Sequence, residues 1–530
     1  MVRNHLFDDG DDGVGHRTTP TPSFPRQLSN NQDRAKSRVV ALGNHEETEW
    51  TKAETFAPVL RDESSRVMTT MAIEHGRIEK QGNCKNAFVQ SELPKDEIII
   101  VRPPPGCPLS KPGELWLLQK TLYGLRRSPY HWYNRIKKIL LSIGLSMSPH
   151  DPCVFFGQLR DDLPPIYVGL YVDDFKYWST SDETEKLFEK RMQATCKVDF
   201  MGAVSWFLGS KYEWSYLTDG RLSVSITQTA KTEALLEAHG MADCNPAPTP
   251  YKSGIHVDRL PQDGLSAEQK PLLVRQYTSL IGGLVWLQRQ TRPDISTITR
   301  LLARYNHNPS YSHYQAAKYV LAYLKGTIDR GIRYTQGGRD HELQGYTSFP
   351  VPDGAYTDAN WGPQDASHPK PDEIVTEEEV KSLLGHVIFR QGGPVIWGCH
   401  RESETISGSS CESEIYATNE GTKSVLTLRH LLQDLGAEDG TKPTPIWNDN
   451  KGTVEWAQGC TVSRNLRHVN MRNLLVRLHQ RLGNITIHHI EGKLNVADLF
   501  TKEMKDSAHY LEMVEMVTSP RVLSLAAAAA

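Results

Sequence analysis

Two regions of the chain gather carboxylates that chemistry could use. In "GLYVDDFKYW" (Gly169–Trp178) an apolar run ends in Asp173 and Asp174, and an aromatic run follows at once. Adjacent acids usually mark a solvated turn, because Asp favours turns. Here the apolar and aromatic flanks pin the turn in a core. Carboxylates held that way are typical Mg²⁺ ligands, and a pair of such ions clamps a phosphoryl transfer. A site of this kind recruits a further carboxylate from elsewhere in the fold. The second gathering is dispersed: Asp358 in "AYTDANWG", Glu414 in "SSCESEIYATNEG", Asp449 in "TPIWNDNKG" and Asp498 in "NVADLFTK". Each sits near the end of a separate element and would be unremarkable alone.

The elements that must position these acids are legible in the periodicities. "PYHWYNRIKKILLSIGL" predicts a helix, with Trp132, Ile136, Leu140 and Ile143 on one face. "PPIYVGLYV" predicts a strand bounded by prolines that turns at Asp173-Asp174 into "FKYWST", a hairpin with acids at its tip. From about 270 to 335 the pattern is helical and dense in basic and aromatic residues. A polar, Gly-rich linker follows (Thr335–Gly345), and an α/β pattern restarts at "GAYTDANW". "HVIFRQGGPVIWGCH" reads as a β-meander with a Gly-Gly-Pro turn. A long amphipathic helix then carries Glu414 near its start; Val425, Leu428, Leu432 and Leu435 share its inner face and Gly436 stops it. The next strand ends at Asp449, with Asn450 placed to cap the following helix. A strand, a loop and a helix start bring in Asp498.

At 530 residues the chain is too long for one core, and two to four domains are expected. The net charge of −3 gives no global electrostatic case for a nucleic-acid partner, so that case rests on local patches. Eight cysteines occur without a C-x-x-C pair or zinc spacing, which points to a reduced intracellular protein rather than a disulfide scaffold. No apolar run of about 18 residues is present, and we expect a soluble chain without a membrane partner. Residues 1–33, rich in Gly, Pro, Asp, Ser and Asn, read as disordered.

"YVDD" followed by aromatics resembles the catalytic hairpin of reverse transcriptases. "AETFAPV" (Ala53–Val59), "KTLYGLRRSPYHWY" (Lys120–Tyr133), "FLGSKY" (Phe207–Tyr212), "TRPDIS" (Thr291–Ser296) and "YLKGT" (Tyr323–Thr327) stand in the order of the copia-type (Pseudoviridae-like) LTR-retrotransposon Pol polyprotein, reverse transcriptase plus ribonuclease H portion. The resemblance spans about 36–505. It implies an α/β and α+β multidomain fold: a right-hand polymerase of fingers, palm and thumb with a helical connection, followed by a ribonuclease H-like α/β domain. The expected division is 1–33 disordered, 34–215 fingers and palm, 216–340 thumb and connection, 341–505 ribonuclease H-like, and 506–530 a C-terminal tail without assigned function. That tail opens with one more helical stretch, whose Met and Leu stripe "YLEMVEMV" reads as helix packing.

The resemblance also locates the missing palm acid. Where the family reads approximately "MDVKTAFLNG", this chain has "GNCKNAFVQS", so Asn83 stands in place of the first metal-binding Asp. An amide oxygen can coordinate but carries no charge, and the expected consequence is an impaired polymerase step. Glu79 precedes a loop in this reading and is a poor substitute. Phe88, five residues on, matches the aromatic gate against a ribose 2′-OH. Lys36 and Arg38 match cations that contact the incoming triphosphate, whereas Leu42 replaces the second Arg of that motif. Arg126 and Arg127 are expected along the template–primer path through phosphate contacts.

Residue by residue, Asp358, Glu414, Asp449 and Asp498 match the family's ribonuclease H tetrad. The implied reaction is hydrolysis of RNA in an RNA–DNA hybrid by two-metal catalysis, with Mg²⁺ as cofactor and Mn²⁺ as a substitute. Glu412 is set aside because its helical phase differs from that of Glu414. The implied partners are an RNA template, a DNA primer, the hybrid and deoxynucleoside triphosphates. The implied location is intracellular, in a cytoplasmic virus-like particle or the nucleus. The alternative is a catalytically decayed remnant that only binds nucleic acid or serves as a host-recruited scaffold. No D-[ST]-G protease signature, zinc knuckle or integrase-like core occurs in the chain.

Overall fold

The computed structural model describes Val2–Arg3 and residues 39–520, apart from 47, 105–106, 109, 112, 253–256, 258–265, 267, 339, 344–345, 351–352, 363–380, 403–405, 438–441, 460–473 and 505. Val2–Arg3 pairs antiparallel with Trp116–Leu117. The remainder of 1–33, read as disordered from sequence, lies outside the described residues, as do Lys36 and Arg38.

The chain forms two compact units. The first comprises 1–60 and 80–202, the second 61–79 and 203–530. This division differs from the sequence-based one, which ran the fingers and palm unbroken from 34 to 215.

The first unit is built on a six-stranded sheet in the order Ser146–Met147, Val154–Gly157, Ile166–Tyr171, Asp174–Ser179, Lys80–Cys84, Val198–Ala203. The expected hairpin is present, with Tyr171 paired to Asp174 so that Val172 and Asp173 form a two-residue turn. The strand Ile166–Tyr171 is almost wholly buried, which explains why it reads as an uninterrupted apolar run. The helix Ser128–Ser142 buries Trp132, Ile136 and Leu140, the face that the spacing predicts. An aromatic cluster of Phe175, Tyr177, Phe188 and Phe200 packs beneath the hairpin, with ring centroids 5.1–6.4 Å apart.

The second unit holds two larger sheets. One is antiparallel, in the order Trp206–Phe207, Ser210–Tyr216, Leu222–Thr227, Arg330–Thr335, Ser519–Pro520. The other runs Gly393–Arg401, Leu383–Arg390, Gly354–Asn360, Thr444–Asn448, Ile485–His489; its first three strands are antiparallel and its last two join in parallel. The region read as helical does contain Gln269–Gln290, Ser296–Ala303 and Tyr311–Gly326, but it ends in the strand Arg330–Thr335. The linker expected over 335–345 carries the strand Asp340–Leu343, paired with Tyr346–Pro350.

A single apolar core joins the connection helices to the C-terminal sheet. Leu284, Leu302 and Tyr323 from the helices belong to it together with Val387, Phe389 and Phe500. No break in that core falls at the expected 340/341 boundary. The segment taken as a tail is likewise part of the core: the helix Ser507–Val517 buries Tyr510, Met513, Val514 and Met516, and Ser519–Pro520 adds an edge strand. Its 11-residue helix shows the apolar face that a packed helix requires, and that face outweighs the terminal position. The Met and Leu stripe of this segment thus packs as a helix, as the sequence reading has it, within the core rather than in a separate tail, while 521–530 lies outside the described residues.

Within this unit the helix Asp62–Glu74 is almost entirely buried. Its Arg66 donates to the Val395 carbonyl (2.7 Å) and stacks its guanidinium on Trp397 at 4.1 Å. Among the described residues no helix is long and apolar enough to cross a membrane.

Candidate active sites

In the palm unit, the turn that carries the paired acids is strained. Val172 has φ +56°, a left-handed value that costs a β-branched residue roughly 1–3 kcal/mol. The indole Nε1 of Trp132 donates to the Val172 carbonyl at 2.6 Å, so the helix Ser128–Ser142 holds the turn from below. Cys84 N–H donates to the Asp173 carbonyl at 2.7 Å and ties the neighbouring strand to the same turn. Both acids are half-buried.

Asn83 is the residue directly opposite Asp174 in the ladder between Lys80–Cys84 and Asp174–Ser179. Its side-chain amide donates to Asp174 Oδ1. The position that aligns with a catalytic acid thus does lie beside the acid pair, as the resemblance implied. It delivers an N–H donor there, where a cation would need a negative oxygen. The donor set is two carboxylates and one neutral amide, which fits a pair of divalent ions poorly. Glu79 does not make up the loss. It directly precedes the strand Lys80–Cys84 rather than a loop, is fully buried, and accepts a hydrogen bond from Thr69 Oγ1 at 2.7 Å.

The remaining palm-side expectations meet mixed outcomes. Phe88 begins a short 3₁₀ turn and packs edge-on against Tyr123 with centroids 4.9 Å apart. Arg126 Nε donates to the Gly43 carbonyl at 2.6 Å. Arg127 Nη1 pairs with Glu97 at 2.6 Å and its guanidinium lies over Trp50 at 4.4 Å. Both arginines thus make protein contacts that brace the chain around 43–54, a role that sequence alone did not suggest.

In the second unit the dispersed acids converge. Among the described residues Asp358, Asp449 and Asp498 each offer a carboxylate oxygen within 4.8 Å of the others. Asp358 lies within the strand Gly354–Asn360, Asp449 just past the end of Thr444–Asn448, and Asp498 in the 3₁₀ turn Val496–Phe500, where the sequence suggested a helix start. Glu414 approaches from the helix Ser410–Asp434 and accepts from Asn448 Nδ2 at 2.9 Å. Glu412 faces elsewhere: it accepts from Gly408 N–H (2.8 Å) and Tyr416 Oη (2.7 Å), so the choice of Glu414 by helical phase agrees with the geometry.

Local sequence explains how the four arrive. Ser409 caps the long helix, Val425, Leu428, Leu432 and Leu435 are buried, and Gly436 ends it at φ +68°. Asn450 caps the next helix by accepting from Thr453 N–H at 3.0 Å. In the meander the turn residues are Gln391 and Gly392, both at positive φ, with Gly393 already paired to Arg390. Two glycines set the close approaches. A Cβ on Gly421 would stand 2.5 Å from Thr357 Cγ2, so the helix reaches the central strand only because that position is bare. Gly385 pairs with Asp358, and a Cβ there would stand 2.6 Å from Thr501 Cγ2 and 2.8 Å from Phe500 Cβ.

The electrostatics are those of a site short of positive charge. Burial, and then the neighbouring Asp358, push Glu414 well above the usual carboxylate range. The same two causes raise Asp449 and push Asp498 up to about 8. Buried, mutually repelling oxygens at this spacing suit a hard divalent cation.

Four contributors were not foreseen. Asn448 is fully buried and, besides Glu414, donates to the Thr357 carbonyl (3.2 Å), while its Oδ1 accepts from Asn450 N–H (2.8 Å). Asn495 donates to the same Thr357 carbonyl at 3.0 Å. The Thr501 hydroxyl donates to Asp358 Oδ2, and Lys502 pairs with Asp358 and Asp498. The available signal was polar residues directly beside the acids, in "WNDN" and "NVADLFTK".

Comparisons with known proteins agree with the family resemblance. Residues 23–253 match the family described as reverse transcriptase (RNA-dependent DNA polymerase). The retrovirus-related Pol polyprotein from transposon RE2 of Arabidopsis thaliana is 27% identical over 491 residues, covering 93% of this chain and 31% of the relative. The corresponding polyprotein from transposon TNT 1-94 of Nicotiana tabacum is 25% identical over 470 residues, covering 88% of this chain and 33% of the relative. The chain therefore spans about a third of the length of these curated relatives. A foamy viral protease-reverse transcriptase solved in complex with ds DNA aligns with a TM-score of 0.41 and 10% identity, over 87% of this chain and 64% of that one, a likeness too loose to argue from.

Proposed function

We propose, from the premise that this chain belongs to the copia-type LTR-retrotransposon Pol family, that it is a ribonuclease H carried on a reverse transcriptase scaffold whose polymerase step is impaired. The proposed substrate of the second unit is the RNA strand of an RNA–DNA hybrid. The observation that carries this reading is the convergence of Asp358, Asp449 and Asp498 from three elements, with Glu414 fixed beside them by Asn448. Divalent ions bound there would activate a water and stabilise the leaving 3′-oxygen. The chain's own groups orient that chemistry: Thr501 fixes one oxygen of Asp358, Asn448 fixes Glu414, and Asn495 anchors the turn that presents Asp498.

The test is cleavage of end-labelled RNA in a hybrid duplex by the full chain with Mg²⁺. Asp358→Asn and Asp449→Asn should each reduce the rate by about 10³-fold or more. Equal cleavage by wild type and both variants would remove the tetrad from the mechanism.

For the palm unit, RNA-directed DNA synthesis on an RNA template with a DNA primer and deoxynucleoside triphosphates is the ancestral reaction we infer. One observation favours the second reading, a polymerase fold retained for nucleic-acid binding alone: the Asn83 amide donates to Asp174. Losing a charged ligand at a two-metal site costs several powers of ten in rate.

A further inference from the structure

The acid cluster of the second unit carries a cation of its own. Lys502 Nζ stands 2.6 Å from Asp498 Oδ1 and 3.2 Å from Asp358 Oδ1, so one ammonium bridges two of the three clustered carboxylates. The backbone places it there. Lys502 N–H donates to the Asp498 carbonyl at 3.0 Å, closing a turn that brings side chains four apart over one another. Thr501 occupies the other oxygen of Asp358, so both oxygens of that residue are engaged, one by a hydroxyl and one by the ammonium. The Lys502 side chain is 38% exposed and borders solvent, so its tip has room to withdraw along its flexible stem.

A divalent ion coordinated by Asp358 and Asp498 would meet this ammonium at close range, where like charges in a part-buried site repel strongly. We propose that Lys502 is a resident counter-cation that a divalent ion must displace from the Asp358–Asp498 edge, and that it thereby sets the concentration at which the cluster fills with metal. The inference rests on the metal-site reading of the tetrad. Lys502 acts here as a positioning residue: in the metal-free protein it holds two repelling acids together, and in the metal-bound protein it is the competitor.

The experiment is a titration of the full-length protein with CaCl₂ and separately with MgCl₂ at fixed pH and ionic strength. Binding is read by calorimetry and by the thermal unfolding midpoint, so catalysis plays no part in the readout. Lys502→Met keeps the bulk of the stem and removes the charge. It should lower the half-saturating metal concentration by about tenfold or more and lower the metal-free midpoint. Lys502→Arg keeps the charge and should stay within about threefold of wild type. Asp449→Asn removes a ligand without removing the ammonium and should weaken binding. Metal binding by Lys502→Met that is no tighter than wild type overturns the proposal. If that variant loses its cooperative transition, Lys502→Gln takes its place: tighter binding than wild type supports the proposal and binding no tighter overturns it. Absence of any saturable, Asp449-dependent metal binding in wild type and Lys502→Met overturns the metal-site reading itself, and this inference with it.

Discussion

The Asn83 amide donates to the carboxylate of Asp174 across two paired strands of the palm sheet. In this arrangement a neutral donor, rather than a cation, faces one oxygen of Asp174. Asn83→Asp reverses that logic by placing two carboxylates face to face. The variant should unfold at lower temperature than wild type without metal and recover in millimolar Mg²⁺. In primer extension on an RNA template it should exceed wild type by about 10²-fold or more. Extension by the unaltered chain at the rate of the variant would show that another group supplies the missing charge.

Gly385 sits opposite Asp358 under the turn that carries Asp498. Gly385→Ala should push Thr501 and Phe500 away from the strand and misplace Asp498. Hybrid cleavage is expected to fall about 10²-fold, with a stability loss of about 1–3 kcal/mol in urea unfolding. Wild-type cleavage by this variant would mean that the turn is not held by that contact.

Acid should destabilise the second unit through its buried His386. His386 is 4% exposed, shares a hydrogen bond with Ser424 (2.9 Å), and stacks on His400 with centroids 5.8 Å apart. Burial, then the neighbouring His400, push His386 down to about 3. A histidine whose folded-state pKa lies below its ordinary value of 6.5 contributes stability fully above 6.5 and loses it as pH falls toward 3. His386 should therefore add about 1.4 kcal/mol of destabilisation per pH unit between roughly pH 6 and its folded-state value of about 3. Urea midpoints measured from pH 7.5 to 4.5 should fall, and His386→Gln should flatten the slope; an unchanged slope would count against this origin.

The "TRPDIS" motif accounts for a buried ion pair in the connection. Arg292 and Asp294 are 2% and 0% exposed and form two bonds of 3.0 and 2.7 Å, with Tyr323 Oη donating to Asp294 at 2.7 Å. Burial alone would push Asp294 up, but the Arg292 guanidinium holds it below the usual carboxylate range. Asp294→Asn leaves a buried guanidinium without its counter-charge and should cost about 3–5 kcal/mol. The double variant Arg292→Met, Asp294→Leu should recover much of that loss. Greater destabilisation in the double variant than in the single would refute this explanation.

How much of the site was legible depended on whether the signal was local. The hairpin tip at Asp173-Asp174 follows from an apolar run meeting turn residues, and the helix Ser128–Ser142 follows from Trp132, Ile136 and Leu140 at helical spacing. The cap at Asn450 and the stop at Gly436 are equally local. The reading of the four acids as one set, and of Asn83 as the changed position, rests on the resemblance carried by ordered motifs.

What the tertiary structure alone decided are the polar partnerships across the chain. Asn83 meets Asp174 from 91 residues away, and Lys502 meets Asp358 from 144. Asn448 and Asn495 lie in short polar stretches with no period to betray a buried role, yet both are fully buried and fix the acids' surroundings. The helix Asp62–Glu74 falls inside the expected fingers and palm, and the packing stripe of Ser507–Val517 names no partner in sequence; only packing assigns both to the second unit. Periodicity and turn chemistry are properties of neighbours along the chain, so sequence alone determines them. Pairing of distant hydrogen-bond donors with acids depends on which elements the core brings together, and only the folded chain decides that.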